Sequence, residues 1–183
     1  MSYLQKVKVD ENEFAPFASA RKMFGFVPNF FTAQTLRPDL IEAQSQLVGA
    51  LLIHEGSLSR KQKEYIFLVC SAANLSTYCV TAHCEMIRAL GLKGPEPERI
   101  AIDHLHTDIP LADKQLLNFV LKLNRDAQRV GAGDIDALRR YGFTDDQILE
   151  AVLMTGLAKF ANLVSAGLGA EPDFEPKIQL APE

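Results

Sequence analysis

Cys79 and His83 stand four residues apart in the stretch Ser76-Thr-Tyr-Cys79-Val-Thr-Ala-His83, which reads as the start of a helix. Four residues along an α-helix turn through about 40° and rise roughly 6 Å, so the thiol and the imidazole share a face. At that spacing the imidazole is placed to take the thiol proton, which turns a cysteine into a nucleophile. Cys79 also falls in the first turn, where unpaired amide hydrogens and the helix dipole favour an anion. The helix end contributes about 0.3–2 kcal/mol, equivalent to roughly 0.2–1.5 pKa units. From a free-thiol value near about 8.5, that alone leaves the sulfur only partly ionised at neutral pH. An adjacent imidazolium and a hydrogen bond donated by Ser76 are expected to hold it ionised near neutrality. Glu64, on the preceding segment, is the candidate to orient the imidazole and stabilise its charged form, as the third group of a triad does. The expected site is therefore Cys79 as nucleophile, His83 as base, Glu64 as orienting carboxylate and Ser76 as hydroxyl donor.

The other two cysteines are Cys70 and Cys84. An odd count without secreted-framework spacing suits a reducing compartment, where the thiols stay free. Cys84 lies five residues beyond Cys79, about 140° around the helix and near 8.7 Å away by helix geometry. That exceeds the roughly 7 Å limit for a disulfide, and Cys70 sits in an apolar run and reads as core. His104-Leu-His106, between Asp103 and Asp108, has passable metal ligands, but one short loop rarely completes a site. A solvated loop is expected there, with no metal. His54-Glu55 closes a helix, where a cationic histidine suits the dipole. The chain has no Gly-rich phosphate loop and no nucleophile elbow, so no cofactor is expected.

Charge narrows the partners. The 19 Lys and Arg against 23 Asp and Glu give a net charge of −4. A nucleic-acid binder needs a dense basic face to displace phosphate counterions, and none is present. The segment 136–148 has a faint helix-turn-helix look, yet Asp136, Asp145 and Asp146 would meet phosphates badly. No basic run suits an anionic membrane, and the most apolar stretch, 65–73, is far shorter than the roughly 20 residues that span a bilayer. The N-terminus lacks the apolar core of a signal peptide, so a cytoplasmic location is expected.

The elements that must position the site are helical. No strand alternation is sustained, which predicts an all-α fold, a compact helical bundle in a single domain. Helices are expected at about 14–23, 30–36 and from Pro38, whose missing amide hydrogen suits a first turn. Ser59-Arg-Lys-Gln62 is a capping box opening a helix to about Asn74, apolar on nearly all sides and so central and buried. The next helix runs from Ser76 or Thr77 to Gly91. Further helices are expected at 113–124 and 133–142, and Thr144-Asp-Asp-Gln147 caps a last one reaching about Leu168. Residues 1–56 thus form N-terminal helices, 57–92 the motif helices, 93–170 a second helical half and 171–183 an extended tail. The stretches opened by the two capping boxes, 59–83 and 144–167, roughly match in pattern and suggest an internal repeat in which only the first copy carries Cys and His.

Singly, a Cys and a His one turn apart are more often accidental than catalytic; the joint spacing is what counts. Glu64, Ser76, Cys79 and His83 fill the frame Glu, eleven residues, Cys, two residues, Cys, three residues, His. In that frame the chain resembles the alkyl hydroperoxidase D-like group, in its peroxidase-related branch, of the carboxymuconolactone decarboxylase superfamily. The resemblance extends to Gly25-Phe-Val-Pro-Asn-Phe-Phe31, Arg37-Pro-Asp-Leu40, the stretch 136–148, and Phe160-Ala-Asn162 running into Gly169. It implies an all-α fold assembling into homo-oligomers, with Cys79 as the peroxide-reactive thiol and His83 and Glu64 as its proton relay. In two-cysteine members the first Cys completes a disulfide after peroxide attack. Position 76 is Ser here, so a one-cysteine hydroperoxide reductase is expected, served by an external thiol or reductant protein. One rival is a decarboxylase-like acid–base enzyme acting on a small lactone acid through His83 and Glu64. The other is an oligomeric binding scaffold without chemistry.

Overall fold

The structure, a computed structural model, describes residues 2–10, 13–178 and 180. Among these residues the fold is all-α, as expected. In chain order the helices are α1 (Ala15–Phe24), α2 (Asn29–Thr32), α3 (Pro38–Val48), α4 (Arg60–Ala73), α5 (Thr77–Ala89), α6 (Pro97–Asp103), α7 (Leu111–Arg125), α8 (Ala132–Arg140) and α9 (Asp145–Gly167). A π-helical turn, Gly49–Ile53, extends α3, and a 3-10 turn, His104–His106, follows α6.

Residues 63–71 of α4 are buried without interruption, and α5, α6, α7 and α9 pack around them. Beyond Glu64 the helix is apolar apart from Ser71, so burying it requires neighbours on every side. Both expected capping boxes are present: Ser59 accepts from the Gln62 amide and Thr144 from the Gln147 amide. Each satisfies amide hydrogens that the first turn leaves without partners. The long capped helices α4 and α9 pack directly against one another. One buried ion pair braces that junction. Lys63 Nζ lies 2.7 Å from Glu150 Oε1 and donates to the His54 carbonyl at 3.1 Å, while Glu150 Oε2 accepts the Leu58 amide at 2.6 Å.

Several elements differ from expectation. The segment at 30–36 is helical only to Thr32 and then turns, and Arg37, restricted by the proline that follows it, leaves the helical conformation before α3. Helix α6, opened by Pro97, was hidden by its brevity and its charged residues. His104 is no solvated loop residue: it is buried, with Nε2 3.0 Å from Asn118 Oδ1. His106 pairs instead with Asp103, and among the described residues no cluster of three or more His, Cys, Asp or Glu suits a metal.

The longest apolar element is α9 rather than 65–73, and it is long and apolar enough to cross a bilayer, with half of its most apolar stretch buried inside the fold. Thr155, Lys159 and Asn162 interrupt its sequence pattern, but all three find partners within the fold. Its outer face leaves Leu149, Leu153, Phe160 and Leu163 exposed.

Candidate functional site

The turn between α4 and α5 sets the site. Leu75 takes φ +57°, a left-handed conformation that costs a leucine about 1–2 kcal/mol. The reversal brings the start of α5 back across α4. Ser76 caps α5 by accepting the Cys79 amide at 3.5 Å, so Cys79 lies in the first turn as expected. Ser76 itself is buried and held by the α4 carbonyl of Ser71.

His83, one turn further, is fixed from two sides. Its Nδ1 lies 2.6 Å from Glu64 Oε2, and its ring stacks on Phe67 with centroids 3.9 Å apart and planes at 20°. Glu64 has no exposed surface, and its other oxygen accepts Arg60 Nε at 2.7 Å. Burial pushes the Glu64 carboxyl up, but His83 and Arg60 together outweigh it and hold it below the usual carboxylate range. With Nδ1 donating to a carboxylate, neutral His83 presents Nε2 as a proton acceptor.

The Cys79 sulfur requires a correction. The expectation of an ionised resting thiol does not hold: the side chain is only 3% exposed, and burial pushes its pKa up. Desolvation of a buried thiolate outweighs the helix end, whose effect is limited to about 2 kcal/mol. Hydrogen bonding to Ser76, Ser165, Asn162 and Ser71 opposes that rise without cancelling it. Nor does the sulfur bond the imidazole. Its hydrogen-bond contact is Ser165 Oγ at 3.6 Å, and among the described residues none joins Cys79 to His83. The two side chains meet instead as parts of one wall.

That wall belongs to a cavity of about 480 Å³, lined by Cys79 and His83 and, around them, by apolar side chains including Phe24, Phe30, Phe67 and Phe174. Part of its lining comes from Asp173 and Phe174 of the C-terminal segment, which sequence reasoning left as a plain tail. Asp173 Oδ2 accepts the Tyr78 hydroxyl at 2.6 Å, and Asp173 Oδ1 accepts the Asn29 amide at 2.9 Å. The same Tyr78 oxygen accepts the Phe30 amide at 2.8 Å, and Phe174 packs edge-on against Phe26. Burial, reinforced by Asp173, keeps the Tyr78 phenol neutral.

The structure thus brings Glu64 and His83 into contact and sets Cys79 on the same cavity wall as His83, while Ser76 stays behind as the cap of α5. Sequence reasoning missed Phe67, Tyr78, Asp173, Ser71, Asn162 and Ser165. Arg60 was legible in principle, since an Arg four residues before a Glu on one helix marks a pair.

An all-helical bundle with a buried thiol and a carboxylate-held histidine on one apolar cavity defines a recognisable class. Residues 38–104 match the carboxymuconolactone decarboxylase family model. An uncharacterised peroxidase-related protein from Ralstonia eutropha JMP134, with an alkylhydroperoxidase AhpD core, is similar over 94% of this chain and 92% of its own, at 28% identity and a TM-score of 0.87. The family match and the shared fold together support placing the chain in the alkyl hydroperoxidase D-like branch of the carboxymuconolactone decarboxylase superfamily. A peroxidase-related protein from Silicibacter sp. TM1040 has the same fold (TM-score 0.87, 23% identity, 98% and 96% coverage). So does the debrominase Bmp8, solved with 2,3,4-tribromopyrrole (TM-score 0.80, 16% identity, 94% coverage of each chain). Among curated proteins, none matches the sequence.

Proposed function

We propose that the protein reduces organic hydroperoxides through Cys79 in a one-cysteine, thiol-dependent cycle. The observation that carries this reading is the shared cavity wall: a thiol and an acceptor nitrogen face one apolar chamber, and a buried carboxylate holds the imidazole from behind. Because the resting thiol is neutral, ionisation accompanies attack rather than preceding it. The hydroperoxide group bridges the gap between sulfur and imidazole, and the thiol proton passes to His83 Nε2. The sulfur attacks the terminal peroxide oxygen; the S–O bond forms as the O–O bond breaks. The departing alkoxide takes the proton from His83, leaving an alcohol and a Cys79 sulfenic acid. Glu64 stabilises the imidazolium between those two transfers. An external thiol then attacks the sulfenic sulfur, releasing water, and a second thiol frees Cys79 from the mixed disulfide. The apolar lining favours a hydroperoxide with a hydrocarbon body over hydrogen peroxide, which gains nothing from burial.

The test is consumption of cumene hydroperoxide with dithiothreitol as reductant, comparing the parent chain with Cys79→Ser. Loss of turnover in the variant is expected, and equal turnover overturns the reading. A second reading keeps the His83–Glu64 pair as acid and base for a small lactone acid and makes the thiol a bystander. What favours it is that the sulfur is hydrogen-bonded to Ser165 and not to the imidazole. Activity on such an acid that survives Cys79→Ala and vanishes in His83→Ala supports it.

A further inference from the structure

We infer that Ser71, Ser165 and Asn162 form a polar cradle that holds negative charge on the Cys79 sulfur, with Asn162 as its positioning residue. The inference rests on the reading of Cys79 as a nucleophile and adds residues that the Glu–Cys–His frame does not contain.

The cradle is built from α4, which carries Ser71, and α9, which carries Asn162 and Ser165. Asn162, on α9, is oriented by its neighbours: Oδ1 accepts Asn74 Nδ2 at 2.8 Å, and Nδ2 donates to Ser71 Oγ at 2.9 Å. Asn74 is fixed in turn by exchanging two hydrogen bonds with Asn124, at 3.1 and 2.9 Å. Lys159 Nζ holds the Asn124 carbonyl at 2.8 Å. Because Ser71 Oγ already accepts from Asn162, its own hydrogen is free to turn toward the Cys79 sulfur once that carries charge. Ser165 Oγ lies 3.1 Å from the Asn162 backbone carbonyl and 3.6 Å from the sulfur.

These distances make a two-position device. While the thiol is protonated, its hydrogen points at Ser165 Oγ and the Ser165 hydroxyl donates to the Asn162 carbonyl. When the proton leaves, the Ser165 hydroxyl turns to the sulfur, joining the donors on Ser71 and Asn162. Hydrogen bonds that exist only for the charged form lower the cost of reaching it. Ser71, Asn124, Asn162 and Ser165 are each at most 4% exposed, and a buried polar chain of this length is stable only with every member paired. Here the members are paired, and the chain terminates at the sulfur.

The charged groups around the thiol come from the other sides. Helix α5 supplies His83 and Glu85, the latter paired with Arg88; α4 supplies Glu64 and Arg60 behind the imidazole; the C-terminal segment supplies Asp173, bound to Tyr78. Glu98 on α6 is turned to Arg88. From α9 the sulfur meets the uncharged Asn162 and Ser165, while Lys159 of the same helix is bound to the Asn124 carbonyl, so the contribution of the two polar groups is separable by mutation.

The experiment is the rate of Cys79 alkylation by iodoacetamide across pH, followed on the Cys79 peptide by mass spectrometry in the full chain. Ser165→Ala and Asn162→Ala are each expected to move the profile to higher pH, slowing alkylation at a given pH on the order of tenfold, a one-unit shift. The displacement should persist in a His83→Gln background, because the cradle acts independently of the imidazole. Unmoved profiles in folded Ser165→Ala and Ser71→Ala overturn the inference, and these two small changes carry the test if Asn162→Ala fails to fold. A displaced profile in a protein that consumes no hydroperoxide supports the cradle while removing the peroxidase reading.

Discussion

His83 Nδ1 and Glu64 Oε2 lie 2.6 Å apart, joining the second turn of α5 to a carboxylate sealed inside α4. The contact determines which ring nitrogen faces the cavity. It also couples the site to the stability of the fold, because Glu64 has no water to fall back on.

Glu64→Gln keeps the shape and removes the charge. Without the carboxylate, an imidazolium formed during turnover loses its stabilising partner, and the rate of hydroperoxide consumption is expected to fall on the order of 10²-fold or more. Steady-state rates at saturating reductant check this, and an unchanged rate would remove Glu64 from the relay.

The same carboxylate predicts acid sensitivity. Its folded pKa lies below the ordinary value of 4.5, so its stabilising contribution is complete above that value and is lost as pH falls through the lower folded value. Urea unfolding at stepped pH should show the parent chain losing stability below about pH 4.5 more steeply than Glu64→Gln, whose amide does not titrate. Parallel pH curves for the two proteins would contradict the assignment.

Phe67 is predicted to act through the imidazole it stacks on. Phe67→Leu retains most of the apolar volume, so a stability loss of only about 1–1.5 kcal/mol is expected. The ring of His83, freed on one face, should lose alignment and turnover should drop several-fold with little change in KM. A change confined to KM would instead make Phe67 a simple part of the cavity lining.

Lys63 and Glu150 offer a contrast, since their ion pair is similarly buried yet neither residue lines the cavity that Cys79 faces. Lys63→Met leaves the Glu150 charge with a single amide partner, at a cost of about 3–5 kcal/mol in denaturant unfolding. Cys79 alkylation in the folded variant should be unaltered. A stability change under about 1 kcal/mol would mean that water relieves the charge.

The sequence was legible wherever a pattern was local. Capping boxes at Ser59 and Thr144 announced α4 and α9, and the four-residue step from Cys79 to His83 announced a shared wall. What it concealed was depth. Nothing local tells that Cys79 is buried by α9 and the C-terminal segment, so the helix-end argument for an ionised thiol overlooked the larger desolvation cost. Asn162 and Ser165 lie more than 80 residues from Cys79, and polar residues on an apolar helix read as interruptions until their partners are known. The stretch containing Asp173 and Phe174 has no periodicity, because it is held by single contacts rather than by a repeating face.

The one-cysteine cycle makes a prediction about what accumulates without reductant. All three thiols are free and buried. Burial raises both Cys70 and Cys84 to about 12, so neither supplies an appreciable thiolate at neutral pH. Thiol–disulfide chemistry needs that thiolate, and it also needs reach. Cys70 is held in the core beside Thr155, and Cys84 occupies a different face of α5, beside Glu98 and Lys177. After one equivalent of cumene hydroperoxide, the Cys79 peptide should carry one added oxygen and react with dimedone. No intrachain disulfide should form, and Cys70→Ala with Cys84→Ala should leave turnover intact. A Cys79–Cys84 or Cys70–Cys79 bridge found by non-reducing peptide mapping would require α4 or α5 to unwind during the cycle, and Ser76 would then have no bearing on how Cys79 is reduced.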